Sequence, residues 1–245
     1  MSDEHVLPRQ LANRGRPAPI NEGVYGPIRG TRYGELLVED LDPYSLADEG
    51  TYFLATNPTL GTGIAGIAAT TAFDATKTLL HLMNISTSKR LYLDFVDLVV
   101  TAAGTNGTTT GFSMTADKGT TRYSSGGSTI TPINPNLASS DTAEVSMKFG
   151  ALTTTAASSA VRPLGDFQVR TVIKVVNDSY RFVFGRKGMA WRLAGASLDG
   201  TTSAKVTIPC PPVILGENDQ FLLHDWAASQ SAASSYQLRC GFWIR

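Results

Sequence analysis

Apolar residues recur at every second position along much of the chain. The longest row runs through Phe167, Val169, Thr171, Ile173 and Val175, pauses at Asn177, Asp178 and Ser179, and resumes at Tyr180, Phe182 and Phe184. A period of two places one face of a pleated strand in apolar surroundings. Asn, Asp and Ser tolerate tight turns. Residues 166–185 therefore predict a long β-hairpin. Isolated hairpins are marginal in water, so other strands must cover it.

The rest of the pattern supplies them. Apolar or alternating segments predict strands at 51–56, 76–85, 89–103, 112–116, 143–149, 204–208, 220–226 and 236–244. Within 89–103, Leu91, Leu93 and Phe95 share one parity, and Leu98 and Val100 the other. That slip predicts a bulge at Val96-Asp97. Segments 104–111, 117–135 and 152–159 are polar and read as turns or surface excursions, and 189–193 fits no single element. The last row, Tyr236, Leu238, Cys240, Phe242 and Ile244, predicts a strand paired inside a sheet. Many strands separated by turn residues, with no amphipathic helix beyond two turns, predict an all-β, jelly-roll-like β-sandwich. An immunoglobulin-like sandwich would carry a Cys…Trp…Cys spacing that this chain lacks.

Residues 1–50 break the pattern. Pro8, Pro17, Pro19, Pro27 and Pro43 interrupt any regular element. Five arginines and one acid, Glu22, occupy residues 9–32, whereas six acids and no base occupy 35–49. Tyr25, Ile28 and Tyr33 are apolar anchors of a kind that disordered tails lack. The expectation is an extended N-terminal arm over 1–50 and a β-sandwich domain over 51–245. Arg9, Arg14, Arg16, Tyr25, Ile28, Arg29, Arg32 and Tyr33 are the expected interface residues, docking on a neighbouring subunit.

Charge narrows the roles. Charged residues are 17%, with 21 bases against 21 acids, which disfavours a general nucleic-acid binder. Cys210 and Cys240 are too few for a disulfide framework and are expected as buried thiols. The N-terminus carries Asp3 and Glu4 without an apolar core of a signal, and no stretch is long enough to span a membrane, so cytoplasmic synthesis is expected.

Candidate chemistry is sparse. Gly61, Gly63 and Gly66 form a G-x-G-x-x-G pattern, but the next acid, Asp74, comes too early for a dinucleotide site. A glycine-rich strand close to another backbone fits better. His81 reads as a satisfied core or interface histidine, and His224 and Asp225 as neighbours on opposite strand faces. Asp94 and Asp97, three apart, are expected on opposite faces and in solvent. Trp191, Trp226, Trp243 and Tyr123 read as core or interface rings, with glycan stacking as the other use. Metal-ligand spacings, a nucleophile elbow and a P-loop are missing from the sequence. No catalytic residue, cofactor or metal ligand is assigned, and a non-enzymatic role is expected.

The segments Asn84-Ile-Ser-Thr-Ser-Lys-Arg-Leu-Tyr-Leu and Leu215-Gly-Glu-Asn-Asp-Gln-Phe-Leu-Leu-His, with the Pro/Arg-rich arm and the Ser/Thr/Gly-rich body, are similar to accessory virion proteins of tailed bacteriophages. The chain most resembles their jelly-roll head decoration, or cement, proteins. The resemblance implies a homo-oligomer, a trimer favoured, on the capsid surface of the virion. Its implied partners are the major capsid protein and copies of itself, with no specific nucleic acid and no membrane. The alternative is a tail, collar or fibre protein that binds host glycan.

Overall fold

The computed structural model describes residues 43–67, 73–105, 108–119, 121–185, 192–195 and 203–245. Arg9, Arg14, Arg16, Tyr25, Ile28, Arg29, Arg32 and Tyr33 lie outside the described residues, and so does Trp191. Residues Pro43–Arg245 form one compact unit.

A short helix, α1 (Pro43–Asp48), leads into β1 (Tyr52–Thr56) and β2 (Ile64–Ala65). Next come β3 (Lys77–Asn84), β4 (Leu91–Ala102), β5 (Thr108–Asp117), β6 (Tyr123–Thr129) and β7 (Val145–Thr154). Then follow β8 (Arg162–Val172), β9 (Ser179–Phe184), β10 (Arg192–Gly195) and β11 (Ala204–Cys210). The chain continues through β12 (Ile214–Leu215), β13 (Gln220–Ala227) and β14 (Ser235–Ile244). One sheet has the order β1-β14-β4-β9-β11-β10, with β12 beside β4 and β2 beside β14; the other runs β6-β7-β3-β13-β5-β8. The molecule is thus an all-β sandwich of two packed sheets.

The inner faces share one apolar core. At its centre Phe112 of β5 meets Tyr180, Phe182 and Tyr236 of the opposite sheet, with ring centroids 5.1, 5.4 and 6.3 Å away. Such edge-on aromatic contacts add about 0.5–1.5 kcal/mol each beyond area burial. The terminal alternation behaves as expected: β14 lies between β1 and β4, with Phe242 and Cys240 fully buried. The glycine-rich stretch behaves as expected only in part: a Cβ on Gly66 would lie 3.4 Å from the Ser234 carbonyl oxygen, whereas nothing packs against Gly61. Its β2 pairs with β14, and a Cβ on Gly63 would fall 1.8 Å from Thr101 Oγ1.

The predicted central hairpin does not form. β8 pairs with β5 in the six-stranded sheet, whereas β9 pairs with β4 and, in parallel, with β11 in the other. The Asn177 turn, at φ 69°, carries the chain from one sheet to the other. The cause is Asp178, whose side chain is fully buried. Its carboxylate accepts two hydrogen bonds from the Arg170 guanidinium, at 2.6 and 2.7 Å. It accepts others from Val175 N, Tyr180 Oη and Ala204 N, at 2.8, 2.9 and 2.7 Å. A turn whose acid needs five donors is drawn into the interior, where β8, β9, β11 and the turn itself supply them. Arg170, on the parity opposite the apolar row, is buried for the same reason, and Lys174, on the same parity, is buried against Asp225.

Other boundaries shift for simpler reasons. β5 begins at Thr108, inside the expected turn, and β7 continues to Thr154, inside the expected loop. β6 crosses the expected excursion with the sequence YSSGGST, which has almost no apolar signal. It forms because an edge strand needs only backbone pairing, here with β7. β11 continues through Pro209, whose position tolerates a missing donor.

Asp178→Ala should leave Arg170 as an uncompensated buried charge. We expect a loss of about 3–5 kcal/mol in urea unfolding. A loss below about 1 kcal/mol would show that the crossover does not depend on this carboxylate.

Candidate functional site

The outer face of the eight-stranded sheet carries a cluster of partly exposed aromatic and charged side chains. Cross-strand register sets its layout. Tyr52, Trp243, Tyr92 and Ile214 share one row across β1, β14, β4 and β12. Gly241, Phe95 and Val183 share the next, and Arg239, Asp97 and Arg181 the one after. Tyr92 and Trp243 stack with centroids 5.5 Å apart and planes 3° from parallel. Arg181 and Arg239 flank the Phe95 ring at 5.2 and 5.5 Å. Both guanidinium groups also reach Asp97, at 3.4 and 2.6 Å.

Backbone detail makes this packing possible. A bulge between Gly241 and Phe242 leaves Asp94 as the extra residue of β4. The bulge therefore lies before Val96-Asp97, and Phe95 turns outward while Val96 turns into the core. It also puts Asp94 and Asp97 on the same face, against expectation. Neither is solvent-exposed. Tyr52 covers Asp94, donating its hydroxyl at 3.0 Å, and the arginines cover Asp97. Tyr52 can lie across the strand because residue 241 is glycine: a Cβ there would sit 2.3 Å from Tyr52 Oη and 2.4 Å from Phe95 Cε1. Sequence reasoning placed Asp94 and Asp97 in solvent and Trp243 in a core or interface, and did not assign Tyr52, Tyr92, Phe95, Arg181 or Arg239 to this face. The signal was available, since the alternation that buries Phe242 and Cys240 points Trp243 and Arg239 outward.

The other rings are spent locally. Trp226 lies over Gly111 and donates Nε1–H to Ser113 Oγ at 2.8 Å; Ser113 in turn donates to Asp166 at 2.6 Å. Tyr123 donates to the Gly126 carbonyl at 3.0 Å, and Lys148 sits 5.3 Å above its ring.

The outward-pointing residues of β13 and β3 form a polar seam that is covered by chain. His224 touches Thr78 and Thr115 side chains and the Lys77 carbonyl at 2.9 Å, and Phe73 packs edge-on against it at 5.0 Å. Burial pushes the His224 pKa from its ordinary 6.5 down to about 4, against the opposing pull of the Lys77 carbonyl. His81 pairs through Nε2 with Gln220 Oε1 at 2.9 Å, and burial lowers its pKa too. Its Nδ1 has no hydrogen-bond partner, so the expectation of a satisfied histidine holds for one nitrogen only. Arg122 seals the seam by donating to the carbonyls of Ala75 and Thr155 at 2.6 and 2.9 Å. Asp117 lies 3.8 Å from it. Burial pushes the Asp117 pKa up, but hydrogen bonds from Ser158 and Lys118 outweigh that and hold it below the usual range. Asp225 faces the core, opposite to His224, as strand alternation requires.

Cys210 and Cys240 are free and buried. Burial pushes the Cys210 thiol up to about 12, and pushes Cys240 up further with help from Asp97 and Asp94. No group of three or more His, Cys, Asp or Glu side chains among the described residues could hold a metal ion. No helix among them is long and apolar enough to cross a membrane. Comparison of the chain with protein-family models, curated protein sequences and solved structures finds no match.

His224 makes stability acid-sensitive with a definite sign. Its folded pKa lies below its unfolded one, so its contribution is full above pH 6.5 and is lost as pH falls towards 4. From pH 7 to pH 5 the expected cost is about 2 kcal/mol. Urea midpoints at both pH values should converge in His224→Gln; an undiminished gap would assign the acid sensitivity elsewhere. Both thiols should resist alkylation in native protein and react fully after denaturation without reductant. A disulfide-dependent mass would contradict that.

Proposed function

We propose that the chain is a structural virion protein of a tailed phage, a jelly-roll-like cement or decoration protein that binds the capsid surface. The observation that carries the binding role is the outer face built on Trp243, Tyr92, Phe95, Arg181 and Arg239. Aromatic residues and arginine are the types enriched at protein–protein contacts and at their energetic centres. Here they are held in place before any partner arrives: the rings by stacking, the guanidinium groups by Asp97 and Phe95. Prior ordering lowers the entropic cost of docking. Leu60 and Leu137, 82% and 98% exposed, add apolar contacts on loops. The phage assignment itself rests on the resemblance of the sequence. Its partners in this reading are the major capsid protein and further copies of the chain, as a trimer, with the arm residues Arg9 to Tyr33 adding contacts. Each bound copy stabilises the assembled shell by mass action, because it binds that state and not the dispersed one.

One observation favours a second reading. The Tyr92–Trp243 stack is partly exposed and offers aromatic surface to which a sugar ring could bind, as a tail or fibre protein would use it.

Particles with and without the protein separate the two. Heating should release DNA earlier from particles lacking it. Trp243→Ala should weaken its retention on particles by about tenfold or more. Stripped particles that are equally stable yet no longer attach to cells would overturn the cement reading in favour of glycan binding.

A further inference from the structure

Between the sheets, Lys174 and Asp225 meet in an arrangement that a stabilising ion pair does not require. Lys174 sits on the crossover after β8, and Asp225 on β13. The lysine side chain is fully buried and the aspartate side chain is 2% exposed. Nζ and Oδ1 are 2.5 Å apart, tighter than the 2.7–2.9 Å usual for a charged N–H···O contact. Tyr236 donates its hydroxyl to the other oxygen, Oδ2. The Phe112 ring lies 4.7 Å from Nζ and closes off that side. The neighbouring pair, Arg170 with Asp178, has the ordinary bidentate form, and a guanidinium is no nucleophile at neutral pH. Lys174 differs because proton transfer to Asp225 leaves a primary amine one bond beyond the oxygen from a carboxyl carbon.

We propose that Lys174 and Asp225 condense to an intramolecular isopeptide bond. Nζ attacks Cγ of Asp225 and forms the C–N bond. Oδ1 takes up two of the three ammonium protons and leaves as water, breaking its bond to Cγ. Oδ2 becomes the amide oxygen and keeps the hydrogen bond from Tyr236. Ammonium plus carboxylate gives amide plus water, so charge and protons balance and no oxidant or co-reactant is consumed. Tyr236 is the positioning residue: it donates to the oxygen on which negative charge develops as the tetrahedral centre forms. Burial supplies the drive. Fixed intramolecular partners react with effective molarities of about 10⁵–10⁸ M. The product also replaces two buried charges, which are expensive to keep dry, by one neutral amide. The bond would tie the crossover covalently to the centre of the six-stranded sheet.

The test is the mass of the full-length protein, denatured and reduced, after allowing for the initiator methionine. We expect one water less than the sequence requires. Trypsin should then yield residues 171–181 joined to residues 206–239, with no cleavage after Lys174. Lys174→Arg, which keeps the cation, should restore the full mass, and Tyr236→Phe should slow the loss of water in freshly made protein. Full mass in the wild type, with free peptides 171–174 and 175–181, overturns the proposal. So does loss of water that persists in Lys174→Arg. If that variant fails to fold, the joined peptide in the wild type still decides.

Discussion

One carboxylate governs how the two sheets are connected. Asp178 gathers donors from β8, from the crossover, from β9 and from the start of β11, and a single buried acid thereby specifies the path of the chain. The backbone of the same turn is stitched to β4, with Val100 N donating to the Asp178 carbonyl at 2.8 Å and Val100 O accepting from Asn177 N at 2.8 Å. A surface hairpin at this point would have left Arg170 and Lys174 in water and the parallel β9–β11 pair unmade. Burying charge is costly unless every lone pair and proton is matched. Here the matching of the Asp178 oxygens is what selects one topology over the simpler one.

The same economy of space operates on the opposite side of the large sheet. Gly241 removes a side chain, Tyr52 fills the gap, and its hydroxyl reaches the acid that the bulge has exposed. The bulge, the glycine and the tyrosine depend on one another. Together they keep Asp94 out of solvent and leave Trp243, Tyr92 and the arginines as the accessible features. The groups that face outward are therefore aromatic rings and guanidinium groups, while the acids of that face are occupied by contacts within the chain.

Much of the sandwich was legible because alternation reports burial directly. β1, β3, β4, β13 and β14 came from periodicity within a residue or two at most ends. What periodicity cannot report is the partner of a strand. The row from Phe167 to Phe184 has the pattern of two adjacent strands, and only the polar satisfaction of Asp178 shows that they belong to different sheets. β6 was invisible because a backbone-paired edge strand of Ser, Thr and Gly has no apolar face to betray it. The outer-face cluster was half legible: parity pointed Trp243 outward, but the placement of Asp94 beside Asp97 depended on a bulge displaced by two residues. The residues expected to mediate docking, from Arg9 to Tyr33, fall outside the described part of the chain.

The position of β14 bears on the order of events during synthesis. This strand lies between β1 and β4, yet it is the last in sequence of the fourteen strands among the described residues. Domains form from the N-terminal end as the ribosome advances at about 5–20 residues per second. The six-stranded sheet has all its strands once β13 has emerged. β1, by contrast, has its sheet partner only after residue 244 is made. Until then the nascent chain holds two apolar strand faces apart, with unpaired edges on both. The large sheet therefore gains β1 and β2 only when β14 is in place, and a chain interrupted before β14 would carry a half-built sandwich prone to pairing with its neighbours.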